Sequence, residues 1–165
     1  MKRKYLILFS LSGLIITLDQ LTKQWFENRL TENAGHDLIP GLLTLTHRHS
    51  VGFAFGLLQT TPERFHTLFL LGIPAFALVL IVLIFIKLRD NQMVTSVALT
   101  AILSGAVGNL IDRIQLGYVV DFLVVRLGSK ELLPALNVAD SAIICGVLLM
   151  LINTVRQEIG RTSHV

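Results

Sequence analysis

Phe65–Ile86 reads FHTLFLLGIPAFALVLIVLIFI and contains no Asp, Glu, Lys or Arg. A bilayer core is about 30 Å thick, and a helix of about 20 mostly apolar residues crosses it. This stretch therefore spans a membrane. Thr61, Pro62 and Glu63 precede it as N-cap, first-turn proline and first-turn acid. Pro74 lacks a backbone donor, so a kink is expected there, tolerated where neighbouring helices satisfy the freed carbonyl. Working outward, the same criterion selects residues of about 94–112 and about 139–155. The N-terminal stretch has the outline of a secretory signal peptide, Met1 to Lys4 followed by apolar Tyr5 to Leu18. No A-x-A-like cleavage site follows it. The segment continues as Asp19-Gln20-Leu21-Thr22-Lys23-Gln24-Trp25, with Trp25 placed like an interfacial anchor. Residues 5–25 are accordingly a retained first helix. With residues 65–86 they complete four spans in a single integral membrane domain, 1–165.

Composition agrees with this reading. The chain of 165 residues is 53% hydrophobic and only 15% charged, against roughly a quarter charged in soluble domains. The net charge of +3 is spread along the chain and forms no basic run, so no nucleic-acid partner is expected. The lone Cys145 excludes a disulfide framework and a multi-cysteine zinc site; placed mid-helix, it reads as a small buried filler. Lys2, Arg3, Lys4, Lys87, Arg89, Arg156 and Arg161 fall in short segments on one side of the membrane. On the other side, residues of about 26–64 and 114–138 hold Arg29, Arg48, Arg64, Arg126 and Lys130, diluted by Glu27, Glu32, Asp37, Glu63 and Glu131. The positive-inside rule then puts both termini in the cytoplasm. Strand signals lie in the outer segments. Leu42 to His47 alternates, Tyr118 to Val125 is rich in Val and aromatics, and Gly41, Gly52, Gly56 and Gly117 punctuate them. A small sheet at the outer leaflet is expected.

Ionisable and amide side chains within or beside spans are costly and are functional candidates. Asp19 and Lys23 are four apart with the acid first, the favoured order on one helix face. They read equally as a structural pair or as substrate contacts. Ala98, Ala101, Gly105, Gly108 and Asp112 recur at three- and four-residue spacing, a small-residue face for close helix packing. Asn109 needs a partner at its depth, and Arg113 can reach the interface. Asp121 sits in the apolar run Val119-Val120-Asp121-Phe122-Leu123. Alternation alone allows it to face water while Val120 and Phe122 face lipid. Asn137 with Asp140 three residues on resembles a capping box, and pattern alone favours capping over catalysis. The charge-derived topology nevertheless brings Asp19, Lys23, Asn109, Arg113, Asp121, Asn137 and Asp140 to one membrane surface, as a site requires. His47 and His49 could share a strand face, but no third ligand is evident, and they read as surface residues with no metal. Ser50 and Ser104 have no base nearby in sequence, so serine catalysis is not indicated.

Leu18-Asp19-Gln20-Leu21-Thr22-Lys23, Gly108-Asn109-Leu110-Ile111-Asp112-Arg113, Val119-Val120-Asp121-Phe122 and Asn137-Val138-Ala139-Asp140 resemble, in order and spacing, the motifs of lipoprotein signal peptidases. The resemblance covers nearly the whole chain. It implies an all-α membrane fold of four helices with a small outer β-cradle and a short amphipathic helix. The activity it implies is an aspartic endopeptidase at the outer face of the cell inner membrane. Such an enzyme removes the signal peptide from diacylglyceryl-modified prolipoproteins just before the lipidated cysteine, with globomycin as inhibitor, membrane lipid as surroundings and no cofactor. Asp121 and Asp140 match the catalytic positions; Asp19, Lys23, Ser50, Gly52, Asn109, Arg113 and Asn137 match or neighbour supporting ones. Three positions depart from the family pattern: Ser50 stands for the usual Asn of Asn-x-Gly-x-Ala-Phe, Ser104 for a Gly, and Leu136 for a Phe. A monomer is expected.

Two carboxyls sharing a proton can activate water and polarise a carbonyl without a metal. Asp140, in the first turn of a helix, is expected to carry the charge. Asp121, in an apolar strand without donors, is expected to keep the proton. The rival class is a small proton-coupled transporter or channel subunit. It requires polar residues through the full depth of a helix, and the second helix and the inner halves of the third and fourth read as lacking them.

Overall fold

The computed structural model describes residues 2–32, 35–50, 66, 68–128 and 130–162. Four helices are long and apolar enough to cross a bilayer: α1 (Arg3–Arg29), α2 (Leu68–Lys87), α3 (Met93–Gln115) and α4 (Val138–Thr162). At 1.5 Å per residue α3 is about 35 Å long, sufficient for the hydrocarbon core. α1, α3 and α4 extend past both of their sequence-expected ends, because the spans continue into interfacial turns, and α2 runs one residue past Ile86. Thr61, Pro62, Glu63, Gly52 and Gly56 lie outside the described residues, and no short amphipathic helix occurs among the residues described. α2 opens as a π-helical turn, Leu68–Gly72, and becomes α-helical at Ile73 with Pro74 in its first turn. The irregularity expected at Pro74 is thus a widened turn before the proline, which needs no donor there.

α3 is the centre of the bundle, packed on α4, α1 and α2. Its small-residue face explains why. A side chain at Gly105 would strike the carbonyl of Ala139, one at Gly108 would strike Asp19 and Ala139, and Gly146 of α4 is equally tight against Ala98 and Ile102. α2 has no such face. Its Phe76, Val79, Leu83 and Ile86 point outward and only Phe85 is buried, as suits a helix surrounded by lipid. Cys145 is also on the outside of α4, not the buried filler the sequence suggested, since Gly146 is the residue turned into the packing. At one end of the bundle, Lys4 is buried and donates to the carbonyls of Ile86 (2.9 Å) and Leu88 (2.6 Å). A cation there satisfies carbonyls left open at a helix C-terminus.

At the other end lies an antiparallel sheet, ordered β1 (Gly35–Ile39), β2 (Leu43–Ser50), β3 (Val119–Leu127) and β4 (Lys130–Glu131). Gly41 turns β1 into β2 with φ +73°, and Gly117 closes α3 with φ +84°, bending the chain at once into β3. Both angles are left-handed, where glycine is least hindered. β3 does not alternate: Val119, Val120, Asp121 and Phe122 are all buried. Phe122 stacks on Phe26 of α1 with ring centroids 4.3 Å apart. The lipid-facing alternative for Val120 and Phe122 is therefore overturned, because both are buried within the protein, Phe122 against Phe26 of α1.

Candidate active site

The segment before α4 runs back along β3. Leu136 and Leu123 exchange backbone hydrogen bonds of 2.8 Å in both directions. Asn137 is thereby delivered beside Asp121, one residue before α4 begins. Its Oδ1 accepts from the Asp140 N–H (2.7 Å), and its own N–H donates to Asp140 Oδ2 (3.3 Å), a reciprocal capping box. Its Nδ2 donates to Asp121 Oδ1 (2.7 Å) and lies near the carbonyl of Val120 (3.3 Å). The capping and site readings of Asn137 and Asp140 are thus one arrangement: the cap residue holds both carboxyls.

Asn109, one helix away, finds the partners its depth requires. Its Nδ2 donates to Asp140 Oδ1 (2.7 Å), and its Oδ1 accepts from Asn137 Nδ2 (3.1 Å) and Lys23 Nζ (2.9 Å). Arg113, one turn on, reaches the Asn109 carbonyl at 3.5 Å. Ser50, Asn109, Arg113, Asp121, Leu136 and Asp140 border a pocket of about 200 Å³. A larger cleft, about 360 Å³, lies beside Lys23 and Asp112 but touches neither Asp121 nor Asp140. Gly52 is outside the described residues.

Asp121 is 5% exposed. Burial, and then the negative charge of Asp140, push its carboxyl up to about 7; the Asn137 amide, Lys23 and the Ser50 hydroxyl pull the other way. The expectation that β3 offers no donor is corrected: the Asn137 amide is one, and burial outweighs it. Among the described residues neither Asp121 nor Asp140 has an ion-pair partner within 4 Å. Amides hold this pair, which leaves room for a shared proton.

Asp19 and Lys23 sit behind the pocket. Lys23 Nζ is 2.8 Å from Asp19 Oδ2 and 2.8 Å from Asp112 Oδ2, with all three side chains almost fully buried. Asp19 Oδ1 accepts the backbone N–H of Ala139 at 2.8 Å, so α1 supplies a second cap to α4. Gln20 donates to Asp112 Oδ1 (2.9 Å), and Asp112 Oδ2 receives the N–H of Val120 (3.3 Å). Sequence reasoning missed these roles for Gln20 and Asp112. The available signal was an acid at the end of a glycine face, facing a helix that carries an unexplained lysine. The inner half of α3 also holds buried hydroxyls at Ser96, Thr100 and Ser104, correcting the expectation that it lacks polar groups; none is ionisable. Ser104 satisfies itself on the Thr100 carbonyl (2.6 Å), which is how a serine is tolerated there.

The histidines differ from expectation. His47 is buried, and Glu27 of α1 is a third polar partner for the pair, 2.9 Å from His47 Nε2 and 3.3 Å from His49 Nε2.

Four spans around two carboxyls held at the mouth of one pocket define a multi-pass membrane protein with a paired-acid site. The family model described as signal peptidase (SPase) II matches residues 11–156, and the chain belongs to that family of membrane peptidases. The lipoprotein signal peptidase of Geobacter metallireducens is 39% identical over 158 residues, covering 96% of each chain. That of Enterococcus faecalis is 34% identical over 96% of this chain and 93% of its own. Two solved structures, described as bacterial membrane enzymes studied by the in meso method, superpose with TM-scores of 0.78 and 0.76, each at 29% identity. They cover 94% and 92% of this chain, and 88% and 91% of their own.

Proposed function

We propose that this chain is an aspartic endopeptidase that removes signal peptides from diacylglyceryl-modified prolipoproteins, cutting just before the lipidated cysteine. Asp121 and Asp140 are its catalytic pair. The observation that carries this reading is the single residue, Asn137, that hydrogen-bonds both carboxyls at the mouth of one pocket. The names of the relatives supply the substrate class, and the comparisons give the transporter alternative no support.

Asp140 holds the negative charge and accepts a proton from water. Asp121, which keeps its proton below about pH 7, donates to the scissile carbonyl. Donors from Asn109 and Asn137 fix the orientation of Asp140, while Arg113 and Ser50 border the space a substrate backbone enters. The site lies at the outer face of the inner membrane, where water reaches the scissile bond without crossing hydrocarbon, and both termini are cytoplasmic. The chain works as a monomer in membrane lipid and is inhibited by globomycin.

The test is incubation of purified protein in detergent with a diacylated prolipoprotein. Signal peptide is released by the parent and not by Asp121→Asn or Asp140→Asn, both of which remain folded; near-normal release by either variant refutes the pair. Topology is tested separately by single cysteines at Asp37, Lys130 and Asp90 in a Cys145→Ala background. An impermeant reagent on intact cells labels the first two and not the third.

A further inference from the structure

On the α1 side of the sheet, away from the aspartates, three side chains converge. Glu27 Oε2 lies 2.9 Å from His47 Nε2 and 3.3 Å from His49 Nε2, and one ligand atom from each residue falls within 4.8 Å of the others. The remaining ring nitrogens are also engaged. His47 Nδ1 is 2.9 Å from the carbonyl of Leu30, and His49 Nδ1 is 3.5 Å from Glu32 Oε1. Each ring thus turns Nδ1 to an oxygen and Nε2 to one shared carboxylate oxygen. A carbonyl only accepts, so the ring proton of neutral His47 belongs on Nδ1 and its Nε2 presents a lone pair. That lone pair faces an oxygen that also only accepts, and positive charge must lie between them. One divalent ion at that point meets both Nε2 atoms and the shared carboxylate oxygen at once, where the ring centroids stand 4.8 Å apart.

The outer contacts match those that orient metal ligands. A ligating histidine usually donates its other N–H to a carbonyl or carboxylate, as His47 is placed to do to the Leu30 carbonyl. Tyr118 donates to Glu27 Oε1 at 2.8 Å, leaving Oε2 free for an ion, and its ring stacks on His49 at 4.0 Å. Two imidazoles and a carboxylate suit zinc, with a fourth position for water.

We propose that Glu27, His47 and His49 bind a zinc-class divalent cation that fastens β2 to the end of α1, a structural site separate from Asp121 and Asp140. The test uses tag-free protein in detergent, stripped with EDTA and titrated with Zn²⁺ against a chromophoric chelator. One zinc per chain is expected, and zinc is expected to raise the melting temperature. His47 is buried and its loss can unfold the sheet, so the variants are the half-buried His49→Gln and Glu27→Gln. Each is expected to weaken binding at least about 10-fold and to lose the zinc-dependent rise in melting temperature. The proposal is overturned if the parent binds zinc no more tightly than these variants. EDTA is expected to leave prolipoprotein cleavage unchanged; cleavage lost to EDTA and restored by zinc would overturn the structural assignment.

Discussion

Two groups of acids stand within one side chain of each other and are held in opposite ways. Asp19 and Asp112 share a lysine, with both Lys23 contacts at 2.8 Å. Asp121 and Asp140 share amides, with donors from Asn109 and Asn137 at 2.7 Å. Asn109 links the groups, accepting from Lys23 and donating to Asp140. A lysine fixes the charge of the acids it touches, whereas an amide donor leaves the proton count open, as water-activating acids require. The difference fits the proposed roles, the first group as scaffold and the second as the catalytic pair.

The largest effect expected from breaking that contrast is on turnover. Asp121→Asn and Asp140→Asn should each lower cleavage by about 10³-fold or more, read as released signal peptide, with helical circular dichroism unchanged. Asp112→Asn should leave far more activity, and equal losses at all three positions would erase the distinction.

The scaffold side is broken by Lys23→Met. It strands two buried carboxylates and should cost about 3–5 kcal/mol, seen as a lower melting temperature in detergent. Adding Asp19→Asn and Asp112→Asn should recover most of that loss.

The machinery side is sharpened by pH. The Asp121 value of about 7 lies above its ordinary 3.8. A mechanism that needs its proton loses kcat/KM as pH rises through about 7. The same shift acts on stability. Between those two values the unfolded chain has released a proton that the folded chain retains, so folding weakens as pH rises through that window. Asp121→Asn removes this penalty and should melt higher than the parent at pH 8.

The smallest effect concerns Ser50, whose hydroxyl holds the Asp121 value down. Ser50→Ala should move the alkaline limb of the rate profile upward by less than about one pH unit.

The spans were legible because each carries its signal within itself: an uncharged run such as Phe65–Ile86 needs no knowledge of its neighbours. The candidate aspartates were legible as acids in costly places, and the motif resemblance ranked them above the other polar residues. Gln20, Glu27 and Asp112 were not, because their meaning lies in contacts with residues far along the chain. Gln20 meets Asp112 92 positions away, and Tyr118 meets Glu27 91 away. The cover over β3 was hidden for the same reason. Alternation describes a strand with one wet face, and Val119–Phe122 has none.

The distance between Asp19 and its helix-capping partner has a consequence for how the chain is made. Ala139 lies 120 residues later, so on a ribosome the first helix enters the bilayer long before the group that Asp19 will cap exists. A lone carboxylate would be a heavy passenger on that journey. Lys23, one turn away on the same helix, travels with it and keeps the pair electrically neutral throughout. When the last helix arrives, the aspartate keeps its companion and gains a backbone N–H. The newborn chain thus carries, from its first span, a provisional arrangement that the finished fold extends instead of replacing.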